Sequence, residues 1–142
     1  MEISAQQAGE VDRGLAEFRA SLAGKNIFPD SLLATDYFNH FNEVIMLLEM
    51  VPSMPECLED VRAWQPKSYQ QHFRDSVFAD RDLAILAYEK SPEQYRVPFD
   101  RIIAQMDRLV PQAITAIEAV LDNPDRLALT AANASSQLQN LM

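Results

Sequence analysis

The chain has 142 residues, is 48% hydrophobic and carries a net charge of −9. That fits one domain with a single core, lies outside the disordered class, and excludes a nucleic-acid or polybasic membrane surface, since both need clustered Lys and Arg. The one cysteine, Cys57, allows no internal disulfide and suits a reducing compartment; all three glycines fall at or before Gly24, which denies residues 25–142 a Gly-rich phosphate loop, a dinucleotide fingerprint or a nucleophile elbow.

The opening MEISAQQAGEVDRG has no basic region followed by an apolar run, so no signal peptide is expected and the expected location is cytoplasmic. The spacing of Ala8, Val11, Leu15, Phe18 and Leu22 alternates three and four and predicts a helix from about 5 to 23. Ser4 is its candidate N-cap, and Gly24 stands where a left-handed C-terminal residue belongs.

After Pro29, Asp30 or Ser31 is expected to cap a long central helix near 31–51. Its apolar arc holds Tyr37, Phe38, Phe41, Val44, Ile45 and Leu48, with Met46, Leu47 and Met50 off the arc. A helix apolar over most of its girth is central or covered by a partner. Pro52 ends it. Ser53-Met54-Pro55-Glu56 reads as a second start, with Leu58, Val61 and Trp64 inward. Gln65-Pro66 breaks that helix, and Ser68 starts a segment reaching about Lys90. The pattern stumbles at Asp80-Arg81-Asp82, which predicts one bent helix or two divided near Ala79.

Ser91-Pro92-Glu93-Gln94 matches a capping box. From Pro98 to Leu121 one apolar stripe stays in phase through Pro111, predicting one kinked helix. Asn123-Pro124-Asp125 starts a last helix. Its stripe (Leu127, Ala131, Ala134, Leu138, Leu141) has a small-residue middle that permits close packing. No strand pattern stands out. The expected fold is all-α, a single-domain bundle of five to seven helices over 1–142.

Two histidines lead the search for chemistry. Each is followed by Phe and has a carboxylate three residues on: His40 with Glu43, and His72 with Asp75. Positions i and i+3 share a helix face, and Asp36 lies one turn before His40. Facing helices carrying imidazole and carboxylate suit Fe, Mn or Zn. His40, Glu43, His72 and Asp75 are therefore the candidate metal ligands. The order departs from di-iron bundles, which show Glu-x-x-His, and the plainer reading pairs each imidazole with its own neighbouring acid. Phosphotransfer through either histidine lacks a nearby cation to balance the phosphate. Acidic neighbours of Cys57 disfavour its thiolate, and no motif supports a serine hydrolase.

Binding surfaces carry more weight. Trp64-Gln65-Pro66 and Tyr69 put aromatics at a helix junction, where they plug the bundle end or anchor a partner. Met46, Met50 and Met54 recur every four residues. Such a row fills cores more often than it lines a groove, and Pro52 interrupts this one. Residues 31–66 hold six acids and one base, and residues 67–101 six of each, so an acidic early face is expected. The candidate partner-binding residues are Trp64, Tyr69, Met46 and Met50. The expected role is non-enzymatic protein–protein interaction (adaptor, chaperone-like or regulatory) with a protein partner or as a homodimer, and no cofactor. A metal-binding or redox bundle is the alternative.

Overall fold

Helix-forming composition punctuated by proline dictates the layout. The computed structural model describes residues 5–142, with side chains from Arg13 onward; Ser4 and the side chains of residues 5–12, Ala8 and Val11 among them, lie outside the described residues. The described residues form seven α-helices: α1 (Ala5–Ser21), α2 (Asn39–Met50), α3 (Cys57–Ala63), α4 (Tyr69–Asp75), α5 (Arg81–Lys90), α6 (Glu93–Glu118) and α7 (Pro124–Leu141), with a 3-10 turn at Thr35–Phe38 leading into α2. Among the described residues there is no strand, and no helix is long and apolar enough to cross a membrane.

Several local signals act as their chemistry demands. The Ser68 hydroxyl accepts the Gln71 N–H at 3.1 Å and starts α4. The Asn123 side chain accepts the Arg126 N–H at 3.2 Å, with Pro124 in the first turn of α7. These side chains satisfy donors that a helix start leaves unpaired. Gly24 adopts φ +75° just past α1. The break near Ala79 separates α4 from α5, yet Asp80 makes no cap; its carboxylate reaches Lys25 Nζ at 3.7 Å instead. The Ser91 hydroxyl forms no capping box either: Pro92 holds the N-cap position of α6, and Ser91 donates to the Ser31 carbonyl at 2.6 Å across the fold.

The expected helix near 31–51 starts late. Residues 31–34 are not helical, because the Leu32 N–H donates to the Phe28 carbonyl at 2.8 Å and the Phe28 N–H to the Leu33 carbonyl at 3.0 Å. Leu32 takes φ +61° in this tight loop, at a cost of about 1–2 kcal/mol for a residue with a Cβ. Burial offsets it: Leu32 and Ala34 are fully covered by the core and Leu33 nearly so. Helix α6 starts five residues before Pro98 and runs unbroken through Pro98 and Pro111. Pro111 has no N–H to offer the Asp107 carbonyl one turn back.

Helix α7 returns antiparallel along α6, since Gln105 and Arg108 share a groove with Asn140 and Leu141 while Ala116 shares one with Thr130. It also packs on α2. Buried Ala131, Ala134 and Ser135 bring the α7 backbone close to these neighbours. The core runs from Phe41, Val44 and Leu48 of α2 to Met106 and Ile117 of α6 and Leu138 of α7.

Candidate functional site

The two histidine segments are longer twins than their His-Phe pairs. Tyr37-x-x-His40-Phe41 and Tyr69-x-x-His72-Phe73 share one pattern, and i, i+3, i+4 spacing puts all three rings on one helix face. The copies face each other. The Tyr37 and Tyr69 rings lie 5.4 Å apart, Tyr37 meets His72 edge-on at 5.5 Å, and the two imidazoles are 6.3 Å apart.

Each copy grips the chain just before the other. The Tyr37 hydroxyl donates to the Lys67 carbonyl, and His40 Nε2 accepts the Lys67 N–H at 3.1 Å. In return the Tyr69 hydroxyl accepts the Ala34 N–H at 2.8 Å, and His72 Nε2 meets Asp36 Oδ2 at 3.0 Å. Asp36 Oδ1 is held by the Asn39 amide at 2.9 Å. Trp64 closes the end of this clasp, stacked on His40 at 4.6 Å with its indole N–H donating to the His40 carbonyl at 3.1 Å. Hydrogen bonds completed in a dry environment rigidify the pieces they join.

Burial, with His72 and Lys67 nearby, lowers the His40 pKa to about 4, so this imidazole is neutral at physiological pH and acts as a backbone acceptor. Burial likewise pushes the Tyr37 and Tyr69 hydroxyls well above the usual tyrosine range. None of these groups is poised to give or take a proton near neutrality.

No protein-family model matches the chain, and neither curated proteins nor solved structures include one similar to it. Geometry alone therefore grounds a functional reading.

The expected metal ligands do not converge. His40 Nε2 and His72 Nε2 are already bonded to Lys67 N–H and Asp36. Glu43 is exposed on the outer face of α2. Asp75 takes the Gln71 amide at 2.8 Å and Lys67 Nζ at 3.1 Å. Among the described residues no group of three His, Cys, Asp or Glu side chains is placed to hold a metal ion. The clustering of Asp36 with His40 is also corrected: Asp36 pairs with His72, because the 3-10 turn carries it toward α4.

The expected partner-binding residues divide. Trp64 and Tyr69 are built into the clasp, and Tyr69 is buried. Met46 and Met50 lie on the outside of α2, 61% and 39% exposed, and Met54 follows at 43%. The row is thus a surface feature, unlike a core stripe. Pro52 does not disrupt it, since the Met54 N–H still donates to the Met50 carbonyl at 2.8 Å. A groove of about 550 Å³ runs between α6 and α7, lined by Gln105, Gln112, Gln137 and Asn140. Arg108 is the one charged side chain among the described residues that line it, and the amides around it bring no titratable partner for catalysis.

Proposed function

We propose that the protein is a non-enzymatic interaction bundle of the adaptor, chaperone-like or regulatory kind, and that it docks a basic amphipathic helix of a partner protein onto the outer face of α2. The exposed row Met46–Met50–Met54 carries this reading. Methionine is unbranched and polarisable, so a surface built from it repacks around varied apolar side chains. Three exposed methionines one turn apart match the i, i+4 anchors of an incoming helix.

Charge supports the choice of partner. Glu43 lies three residues before Met46 on the same face, and Glu56 follows the row on the surface, while Glu59 is already paired with Arg62. This region carries net −5 over residues 31–66, six acids against one base. An acidic rim steers a basic segment and adds specificity more than affinity.

The test is a titration of methyl-labelled protein with an amphipathic Leu/Lys helical peptide, against the same residues scrambled out of amphipathic order. The Met46, Met50 and Met54 methyl signals are expected to shift with the amphipathic peptide alone. The double variant Met46→Gln/Met50→Gln should lose that response. Shifts confined to other methyls, or no shift, would overturn the assignment. Sedimentation equilibrium of the free chain supplies the second arm: a dimer that the double variant disperses would give the strip to a second copy.

A further inference from the structure

A cleft of about 260 Å³ opens beside the clasp, where the 3-10 turn, α4, α5 and α6 meet. Tyr37, Tyr69, Tyr88 and Phe99 wall it, with Asp100 and Asp107 on its α6 side. The four rings pack on one another: Tyr69 stacks on Tyr88 at 4.5 Å, Phe99 meets Tyr69 edge-on at 5.9 Å, and Tyr37 and Phe99 are 6.1 Å apart. The Tyr37 hydroxyl donates to the Lys67 carbonyl and the Tyr69 hydroxyl accepts the Ala34 N–H, so both oxygens are turned to the backbone. What these two side chains add to the cleft is therefore ring surface.

Asp107 breaks the pattern of its surroundings. It shares a helix face with Phe99 and Ile103, where an apolar side chain would pack. Its Oδ1 is buried and has no hydrogen-bond partner among the described residues. The residue as a whole is half-buried, and this partial burial raises its pKa above the ordinary carboxylate value. An unpaired buried carboxylate oxygen is costly, and native folds keep few of them. Asp100, by contrast, accepts the Tyr88 hydroxyl at 2.6 Å at the rim.

The sign of the cleft is negative. Lys67 is the one cation among the described residues that line it, and its Nζ is turned to Asp75 Oδ2 at 3.1 Å, outside the cleft. Two carboxylates remain beside four aromatic rings. Ring faces attract cations, and the Asp107 carboxylate, which lines the cleft, is an acceptor for an N–H donor. A volume below the roughly 300–1,000 Å³ of drug-sized sites restricts the occupant to a few heavy atoms.

We propose that this cleft binds a small free primary or secondary alkylammonium ion, its N–H bonded to Asp107 and its carbon chain laid against Tyr88 and Phe99. An anion is repelled by both carboxylates. A quaternary ammonium fits the rings but brings no N–H. A neutral alcohol of the same length brings a donor without the charge. Charge-assisted bonds of this kind are about twice as strong as neutral ones.

The experiment is a solution NMR titration of the full chain with n-butylammonium, tetramethylammonium and n-butanol. Butylammonium is expected to shift the Tyr88 and Phe99 ring signals and to show contacts from its methylenes to those rings. It should bind about tenfold more tightly than either comparison compound, a difference of about 1.4 kcal/mol. Asp107→Asn should lose about the same factor while its melting temperature holds or rises, which separates lost binding from lost fold. Absence of butylammonium binding, equal binding of butanol, or an unweakened Asp107→Asn would overturn the proposal. The wild-type comparison of butylammonium with butanol decides the matter even if the variant fails to fold. Markedly tighter binding of Nα-acetyl-lysine methylamide would overturn the free-amine assignment in favour of a partner's lysine. The Met46→Gln/Met50→Gln variant should bind butylammonium unchanged, so the cleft and the α2 strip stand or fall separately.

Discussion

The clasp and the cleft are neighbours built from the same kinds of side chain, and they treat their polar groups oppositely. In the clasp the Tyr37 and Tyr69 hydroxyls, both imidazoles and the Trp64 indole all have partners. In the cleft the Asp107 Oδ1 has none among the described residues. A completed polar network beside aromatic rings is a device for holding elements in register. An incomplete one is a stability cost that a bound group would relieve. The twin Tyr-x-x-His-Phe segments are thus structural despite their histidines, while a lone aspartate on an apolar face is the better pointer to a ligand.

The sharpest way to break this contrast is His40→Ala. It empties the ring site under Trp64 and strands the Lys67 N–H, so stability should fall by about 2–4 kcal/mol in urea unfolding. A loss under 1 kcal/mol would mean that the clasp does not hold α2 to α4. Next is the pH dependence. The His40 pKa is lowered from 6.5 to about 4 in the fold, so the unfolded chain takes the proton first. Stability from this group is fully present above about pH 6.5 and is lost as pH falls toward 4, by about 2–3 kcal/mol. His40→Gln, whose side-chain oxygen is able to accept the Lys67 N–H, should flatten that slope relative to wild type.

Asp107→Asn moves the other way. A carboxylate whose pKa is raised by burial favours the fold only while protonated, so its penalty grows as pH rises. The variant should be as stable as wild type in acid and more stable at neutral pH, by up to about 1 kcal/mol. A clear loss at neutral pH would place Asp107 in the structural class with the clasp. The smallest effect belongs to the α2 strip: Met46→Gln/Met50→Gln should change stability by no more than about 0.5 kcal/mol per site, as for exposed positions that hold nothing together. A larger loss would return the methionines to the core.

These contrasts follow what was legible in the chain. The all-helical fold, the caps at Ser68 and Asn123, the stripe that carries α6 through Pro111 and the small-residue face of α7 could all be read from residues within two turns of one another. Their physics is local: 3.6-residue periodicity, unsatisfied donors at a helix start, and the missing N–H of proline. The Tyr-x-x-His-Phe twin is present in the sequence too, but the carboxylate three residues after each histidine is the louder local signal, and only the fold shows the two copies facing each other. What the tertiary structure alone decided are pairings across long stretches of chain. Asp36 meets His72 rather than His40, Ser91 holds Ser31 instead of capping α6, and Phe28 to Leu33 fold into a tight loop that delays α2. The exposure of Met46 and Met50 and the isolation of Asp107 were settled in the same way. Periodicity says which residues share a face; only the packing of one helix on another says whether that face is covered, and by what.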